Sequence, residues 1–212
     1  MSCRVVCFSG PDGAQMREVA RDVAESLEFS FVDEAIIMRA AAEAGVEPQV
    51  VADVEKRRSF MDRALNALAS SSDATSFVFT GGAGGFLAGE VPVSDELRDL
   101  IRAAIEETAA RGNAVIVAHA ASHALASQED ALRVLVTASP ETRCARFGAE
   151  QDLSEKDAAR AIGESDAARA DYLKRFYGEK TELPTQYDIV VNTDRLSPAE
   201  AASIVTLAAR RD

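Results

Sequence analysis

The feature that most constrains this chain lies near its start, where an apolar strand leads into a glycine turn and then a helix. The strand is Arg4–Phe8, the turn contains Gly10 and Gly13, and apolar residues at helical spacing continue to Leu27. Such a turn directs backbone N–H groups inward, and the helix N-terminus adds a partial positive charge. The stretch therefore predicts a phosphate-binding site at the carboxyl edge of a parallel sheet.

The rest of the chain alternates between short apolar strands and helical patterns, which is typical of an α/β domain. Five strands are predicted, at residues 4–8, 29–32, 113–117, 132–137 and 187–192. Later helices begin at Ser94, Ser139-Pro140, Ser154 and Ser197-Pro198, where serine caps the first turn. The predicted architecture is one three-layer domain over residues 1–212, with a five-stranded, mainly parallel sheet flanked by helices.

Charge and composition narrow the range of partners. The 212 residues include 35 acidic and 23 basic side chains, a net charge of −12 that disfavours nucleic acid and anionic membranes as partners. No apolar run approaches a membrane span and the first strand is too short for a signal peptide, so a cytoplasmic protein is expected. The three cysteines are expected to be reduced thiols, since no C-x-x-C pair is present. A small-molecule nucleotide needs only a local basic cluster and remains compatible with this charge.

The glycine turn matches the phosphate-loop pattern G-x-x-x-x-G-K-[ST] only in part. Gly10 occupies the first glycine position, whereas Gln15, Met16 and Arg17 occupy the second glycine, lysine and hydroxyl positions. Because the lysine contacts the β- and γ-phosphates and the hydroxyl binds Mg²⁺, their loss weakens charge neutralisation in phosphoryl transfer. Met16 also lies on the apolar stripe of its helix, where a core methionine is the better interpretation.

Residues 13–45 resemble the start of the cytidylate-kinase-like family, relatives of the nucleoside monophosphate kinases. The family pattern is approximately G-S-G-G-R-E-I-A, then a helix, a short strand ending in Y-D, and a helix carrying an arginine. The matching positions are Gly13, Arg17, Glu18, Val19, Ala20, Asp33 and Arg39. Further similar segments are AVIVAHAASHAL, VLVTASPETRCARF, LSEKDAARAIGESDAARADYLKRFYG and YDIVVNTDRLSPAEA. The resemblance covers most of the chain and is weakest across residues 46–93.

The resemblance implies a P-loop nucleotide-kinase-like fold, with an acceptor-binding lobe near residues 34–93 and a helical lid near residues 148–186. Donor phosphates would bind at Gly10, Asp12, Gly13, Ala14, Gln15, Met16 and Arg17. The acceptor would face Asp33, Arg39 and His119. Catalytic charge stabilisation would come from Arg17, Arg143 (or Arg146 one turn on), Arg160 and Arg169. ATP and Mg²⁺ are the implied cofactors.

Several positions depart from the family pattern. Gln15 and Met16 replace glycines, and Ala118-His119 replaces a Gly-Arg pair, so a largely neutral histidine stands where the family has a fixed guanidinium fork. Two hypotheses follow. The first is an ATP-dependent phosphotransferase of weakened or altered activity, acting on a nucleoside monophosphate or similar small acceptor. The second is a catalytically inactive kinase-fold protein that acts as a nucleotide sensor or protein-interaction module.

Other patterns favour simpler interpretations. His119 and His123 have zinc-like spacing but lack a third ligand, so no metal site is predicted. The glycines of Gly81–Gly85 are best interpreted as a flexible surface loop. Asp166, Arg169 and Asp171 are compatible with a solvated ladder of ion pairs on their helix, and a surface role of this kind fits Arg160 and Arg169 as well as the catalytic role does. The charge pattern of Val50–Leu68 is compatible with either a nucleotide-binding lobe or a homodimer face.

Overall fold

A computed structural model describes residues 3–33, 95–118, 121–179 and 181–210, and the described residues contain one five-stranded sheet. The strands are β1 (Val5–Ser9), β2 (Ser30–Asp33), β3 (Ala114–Val117), β4 (Ala131–Thr137) and β5 (Ile189–Asn192). Their order across the sheet is β2-β3-β1-β4-β5, and the four pairings are all parallel. The predicted sheet is confirmed, and each strand boundary agrees within two residues.

Within the described ranges, six helices connect or follow these strands. They are α1 (Met16–Leu27), α2 (Asp95–Arg111), α3 (Ala121–Ala124), α4 (Pro140–Gln151), α5 (Glu155–Tyr177) and α6 (Pro198–Ala209). Helices α4, α5 and α6 begin as predicted, because the side chains of Ser139, Ser154 and Ser197 each accept a hydrogen bond from a backbone N–H of the first turn. A short 3-10 turn, Pro184–Gln186, leads into β5.

The central strands β1 and β3 are buried on both faces, which makes the domain three-layered. Alternate residues of β1 point to opposite faces, so Phe8 packs with residues of α1 and α6 while Cys7 packs with residues of α2 and α3. A third, smaller apolar cluster joins α4 to α5 through Phe147 and Ile162. The α/β architecture predicted from the alternating pattern is therefore confirmed.

Parts of the predicted organisation fall outside the described residues. The proposed acceptor-binding lobe at residues 34–93 is among them, together with Gly81–Gly85 and Val50–Leu68. The predicted lid at residues 148–186 includes the end of α4, all of α5 and the 3-10 turn. Its role as a lid remains a prediction. Cys3, Cys7 and Cys144 are free thiols, as expected. Among the helices that the structure describes, none has the length and apolar character needed to cross a bilayer.

Candidate functional site

The β1–α1 loop, residues 10–15, lies at the carboxyl end of the central strand and packs closely against its neighbours. A Cβ atom on Gly10 would lie 2.4 Å from the carbonyl oxygen of Val136, and one on Gly13 would lie 2.6 Å from that of Arg143. Gly13 also has a φ of +76°, in the left-handed region that side chains disfavour. Both glycines are therefore required by the path of the chain.

Gln15 adopts a left-handed conformation, with φ 58° and ψ 30°, at the N-cap of α1. This is the position where the phosphate-loop pattern has its second glycine. A non-glycine residue in this region costs about 1–2 kcal/mol, so surrounding contacts must hold it there. The residue type departs from the pattern, whereas the backbone keeps a conformation that suits glycine.

Two side chains donate hydrogen bonds to backbone carbonyl groups of the loop. Arg143 on α4 donates a hydrogen bond of 2.7 Å from Nε to the carbonyl oxygen of Asp12. Thr193, which follows β5, donates one of 3.0 Å from Oγ1 to the carbonyl oxygen of Ala14. Arg146 in turn donates to both the hydroxyl and the carbonyl of Thr193. Arg143 thus contacts the loop directly, whereas Arg146 supports it through Thr193.

Helix α5 contacts the same loop through two consecutive residues. Asp166 accepts hydrogen bonds of 3.0 and 2.6 Å from the two Nη atoms of Arg143. Ser165 donates one of 2.6 Å to the carboxylate of Asp12. These contacts bring the predicted catalytic residue Arg143 and the predicted phosphate-binding residue Asp12 into one network with α5.

A buried polar network lies beneath the loop, where β1 ends. Arg169 on α5 donates to both carboxylate oxygens of Glu182, at 2.7 and 2.8 Å, and to the hydroxyl of Ser9 at 2.9 Å. Ser9 and Tyr187 also donate to Glu182. Because Arg169 is buried in this network, its interpretation as part of a surface ladder is wrong. No pattern in the sequence marks Glu182, which lies in an irregular segment between α5 and the 3-10 turn.

The network fixes the protonation states of its members. Burial on its own would raise the pKa of Glu182, but the Arg169 charge and the donated hydrogen bonds outweigh it and lower that pKa. Burial raises the pKa of Tyr187 to about 12, and the neighbouring negative charge of Glu182 adds to the effect. Glu182 is therefore the charged partner of Arg169, and Tyr187 stays a neutral donor.

The predicted donor and acceptor sides of the site meet at Arg17 and Asp33. Arg17 lies in the first turn of α1, Asp33 is the last residue of β2, and the guanidinium donates to the carboxylate at 3.0 Å. Both side chains are partly buried. The structure thus places these two predicted site residues side by side.

The remaining predicted site residues lie away from these contacts or outside the described residues. Met16 is half-buried and packs against the core cluster that includes α1, in agreement with its interpretation as a core methionine. Arg160 is exposed and pairs with Asp157, three residues earlier on the same helix, at 3.5 Å. This is the surface ion pair that was the alternative to a catalytic role. Arg39 and His119 lie outside the described residues.

Three carboxylates near the loop, those of Asp12, Glu18 and Glu150, lie close enough to affect one another electrostatically. The pKa of Glu150 is raised by burial and then by the charges of Glu18 and Asp12, which exceed the opposing effect of Arg17. In the described ranges, no group of three or more His, Cys, Asp or Glu side chains is placed to hold a metal ion. Arg17, at the hydroxyl position of the pattern, is bonded to Asp33. The described side chains therefore do not fit a Mg²⁺ site of the phosphate-loop kind.

The chain has recognisable relatives among known proteins. Residues 5–195 match the sequence model of the cytidylate kinase-like family. An uncharacterized protein from Eubacterium ventriosum has a similar structure, with a TM-score of 0.67, 15% identity and 98% of each chain covered. TT1252 from Thermus thermophilus gives a TM-score of 0.54 at 17% identity, covering 100% of both chains. No functionally curated protein has a sequence that matches this chain.

A shikimate kinase from Bacteroides thetaiotaomicron is also similar, with a TM-score of 0.50, 15% identity and 97% of each chain covered. Identities this low show the fold alone, which is the α/β fold of P-loop kinases. The match to the family model is of a different kind, because it extends from β1 to beyond β5. The chain belongs to the cytidylate kinase-like family.

Proposed function

We propose that this protein is a phosphotransferase that moves a phosphoryl group from ATP to a nucleoside monophosphate or a similar small acceptor, with weakened or altered activity. The observation that carries the proposal is the backbone of the β1–α1 loop. Gly13 and Gln15 both adopt left-handed conformations there, immediately before α1. A loop of this kind, at the N-terminus of a 12-residue helix, suits the donor phosphates of a nucleotide.

Each site residue has a role in this proposal. Backbone N–H groups of residues 12–17 would bind the donor phosphates, and Arg17 would supply charge at the start of α1. Arg143 would stabilise the transferring phosphoryl group, while Arg169 would act with it from α5. Asp33 would face the acceptor, together with Arg39 and His119 from outside the described residues. Arg160 is the least supported member, because its guanidinium pairs with Asp157 on the exposed side of α5.

The reason to expect weakened chemistry is that the cations near the loop already have anionic partners. Arg17 pairs with Asp33, Arg143 with Asp166, and Arg169 with Glu182. Met16 replaces the lysine and supplies no charge. Removing a single group that stabilises transition-state charge typically costs about 10²–10³ in rate. Mg²⁺ would enter as the counter-ion of ATP, and no step of the proposal depends on a metal held by the described side chains.

The same ion pairs favour a second candidate, a kinase-fold protein that binds a nucleotide without transferring phosphate. In that case the arginines would act as structural cations only. The two candidates agree on nucleotide binding and differ in turnover. A cytoplasmic location and a small-molecule nucleotide partner belong to both. A homodimer through residues 50–68 remains a prediction, which light scattering after size-exclusion chromatography would test.

Thermal shift with ATP, with and without Mg²⁺, tests the shared part of the proposal. A ligand at about 100 times its dissociation constant should stabilise the protein by about 2.7 kcal/mol. Arg17→Ala should reduce the shift, whereas Arg21→Ala should retain it. Arg21 is the matched control because it lies one turn further along α1 and stacks over the Phe31 ring at 5.5 Å. Absence of any shift with ATP would overturn the donor site.

A coupled assay of ATP consumption then separates the two candidates. CMP, dCMP and UMP are the acceptors to compare, each against ATP alone. Acceptor-dependent consumption that falls in the Arg143→Lys variant would support the phosphotransferase. Binding of ATP without consumption in the presence of any of the three would support the sensor.

A further inference from the structure

We propose that Ser165 and Asp166 form a latch that closes α5 on the β1–α1 loop and competes with anionic ligands for Arg143. The inference rests on the proposed function in one respect, since it takes Arg143 as a group that binds phosphate. The latch would hold the site in a closed, self-neutralised state from which a nucleotide must release it.

The two latch residues are adjacent in sequence and bind two adjacent parts of the site. Asp166 accepts from Nη1 and Nη2 of Arg143 at 3.0 and 2.6 Å, and Ser165 donates to the Asp12 carboxylate at 2.6 Å. A single movement of this turn of α5 would break both contacts together. The loop and the helix are therefore coupled at one point of the chain.

The bidentate geometry is the reason to expect competition. A guanidinium presents two parallel N–H donors that match either a carboxylate or a phosphate. In Arg143 those donors are occupied by Asp166, and Nε is occupied by the carbonyl oxygen of Asp12. A phosphate oxygen pair can reach the same donors only when Asp166 leaves.

The exposed fractions of the two side chains show which member of the Arg143–Asp166 ion pair can move away. The side chain of Arg143 is 6% exposed, whereas that of Asp166 is 43% exposed. The backbone of Arg143 lies against Gly13, and its Nε is bonded to the carbonyl oxygen of Asp12, so the arginine is held in place. A half-exposed carboxylate loses little hydration free energy in the pair and regains it easily in water. Asp166 is thus the movable member.

The neighbouring pair, Arg169 with Glu182, provides the contrast. Its two side chains are 10% and 11% exposed, and Ser9 and Tyr187 supply further hydrogen bonds. Breaking this pair would leave two buried charges without their partners, whereas releasing Asp166 leaves only the Arg143 charge buried without one, so the Arg169–Glu182 pair is the more costly to break. The Arg169–Glu182 pair therefore fixes α5 one turn beyond the latch, and the contacts of Ser165 and Asp166 are the ones that can release.

The size of the effect follows from the population of the closed state. The apparent dissociation constant of a ligand rises in inverse proportion to the fraction of molecules that can bind it. A latch that is closed about 90% of the time would weaken anion binding about tenfold. Removing the Asp166 carboxylate should therefore strengthen anion binding about tenfold.

Isothermal titration with ATP and with pyrophosphate tests the competition. We expect Asp166→Asn to bind both probes about tenfold more tightly than the wild type. The matched control is Asp171→Asn, an exposed carboxylate on the same helix that removes the same charge and should leave affinity unchanged. Adding Arg143→Lys to the Asp166→Asn protein should abolish the gain, because lysine cannot form the bidentate contact.

Amide hydrogen exchange tests the latch without any ligand. Exchange across residues 10–15 and the middle of α5 should be faster in Asp166→Asn and in Ser165→Ala than in the wild type or Asp171→Asn. Unchanged exchange in both latch variants would overturn the latch.

Two different results would distinguish a failure of the latch from a failure of the proposed function. If wild-type protein binds ATP and Asp166→Asn binds it no more tightly, the competition is overturned while the proposed function stands. If neither protein binds ATP or pyrophosphate, the donor site fails and the competition fails with it.

Discussion

Arg169 and Glu182 meet in the interior of the protein, where the guanidinium donates hydrogen bonds of 2.7 and 2.8 Å to the two carboxylate oxygens. The pair joins α5 to the segment before β5, and Ser9 connects it to the end of β1. The attraction raises the pKa of Arg169 and lowers that of Glu182, although burial opposes both shifts. The two charges are therefore stable in this interior only together.

Glu182→Ala should destabilise the fold strongly, because it leaves the buried Arg169 charge without a partner. Breaking a buried pair from one side costs about 3–5 kcal/mol, which urea denaturation would measure as a lower midpoint. The control is Arg160→Ala, which removes an exposed pair with Asp157 and should change stability by less than about 1 kcal/mol. Equal effects of the two substitutions would contradict the structural role assigned to Glu182.

Gly13→Ala should disrupt the β1–α1 loop. The added Cβ would lie 2.6 Å from the carbonyl oxygen and 2.9 Å from the Cα of Arg143, and φ is +76°. Backbone on both sides resists movement, so a loss of about 2 kcal/mol or more is expected from combined overpacking and left-handed strain. Circular dichroism during thermal unfolding would measure it.

Gly163→Ala is the matched control for that substitution. Gly163 lies in α5, and nothing is within 4 Å of the position a Cβ would take. Alanine there should stabilise the protein by about 0.5–1 kcal/mol through helix propensity. A destabilisation by both substitutions would point to a general intolerance of glycine replacement rather than to contact with Arg143.

The elements were predictable because their signals are local. Each strand is four to seven residues long and contains consecutive apolar residues, and Ser139, Ser154 and Ser197 mark helix starts through contacts within one turn. Local pattern was therefore sufficient to predict the helices and strands.

The partners within the site were not predictable in the same way. Asp166 lies 23 residues from Arg143, and Glu182 lies 13 residues from Arg169, with no periodic relation between either pair. The helical spacing of Asp166, Arg169 and Asp171 suggested a ladder along one face. Tertiary packing instead directs Asp166 to α4 and buries Arg169. The phosphate-loop pattern also counts Gln15 as a lost glycine, because the pattern specifies residue types only. It contains no information on φ, so it could not predict that Gln15 keeps the left-handed backbone.

Gln15→Gly should improve both stability and nucleotide binding. Glycine relieves the left-handed strain, worth about 1–2 kcal/mol, against about 0.5–1 kcal/mol of added chain entropy in the unfolded state. It also removes a side chain from a loop that would bind phosphate through bare backbone. Urea denaturation and titration with ATP would measure the two effects.

The matched control is Met16→Gly, which removes apolar packing against the core and should lower stability. If ATP binding is unchanged in Gln15→Gly, the glutamine side chain is not the obstacle to phosphate, and the weakness of the site lies in its paired arginines.

Stability should rise with pH just below neutrality because of His123. Its ring stacks on Tyr177 with centroids 4.7 Å apart. Burial lowers the pKa of His123, although the charges of Glu182 and Glu179 oppose the shift. The unfolded chain, with a histidine pKa of about 6.5, then binds the proton more readily than the folded protein does. Protonation therefore favours unfolding, and the free energy of unfolding increases as pH rises from the folded pKa through about 6.5.

Urea denaturation between pH 5.5 and 8 would measure how the free energy of unfolding depends on pH. This pH range lies above the one in which Glu182 takes up a proton. His123→Phe isolates the contribution, because phenylalanine preserves a ring against Tyr177 and cannot titrate. We expect the slope to flatten in that variant and to level off above about pH 7 in the wild type. An identical slope in both proteins would assign the pH dependence to groups other than His123.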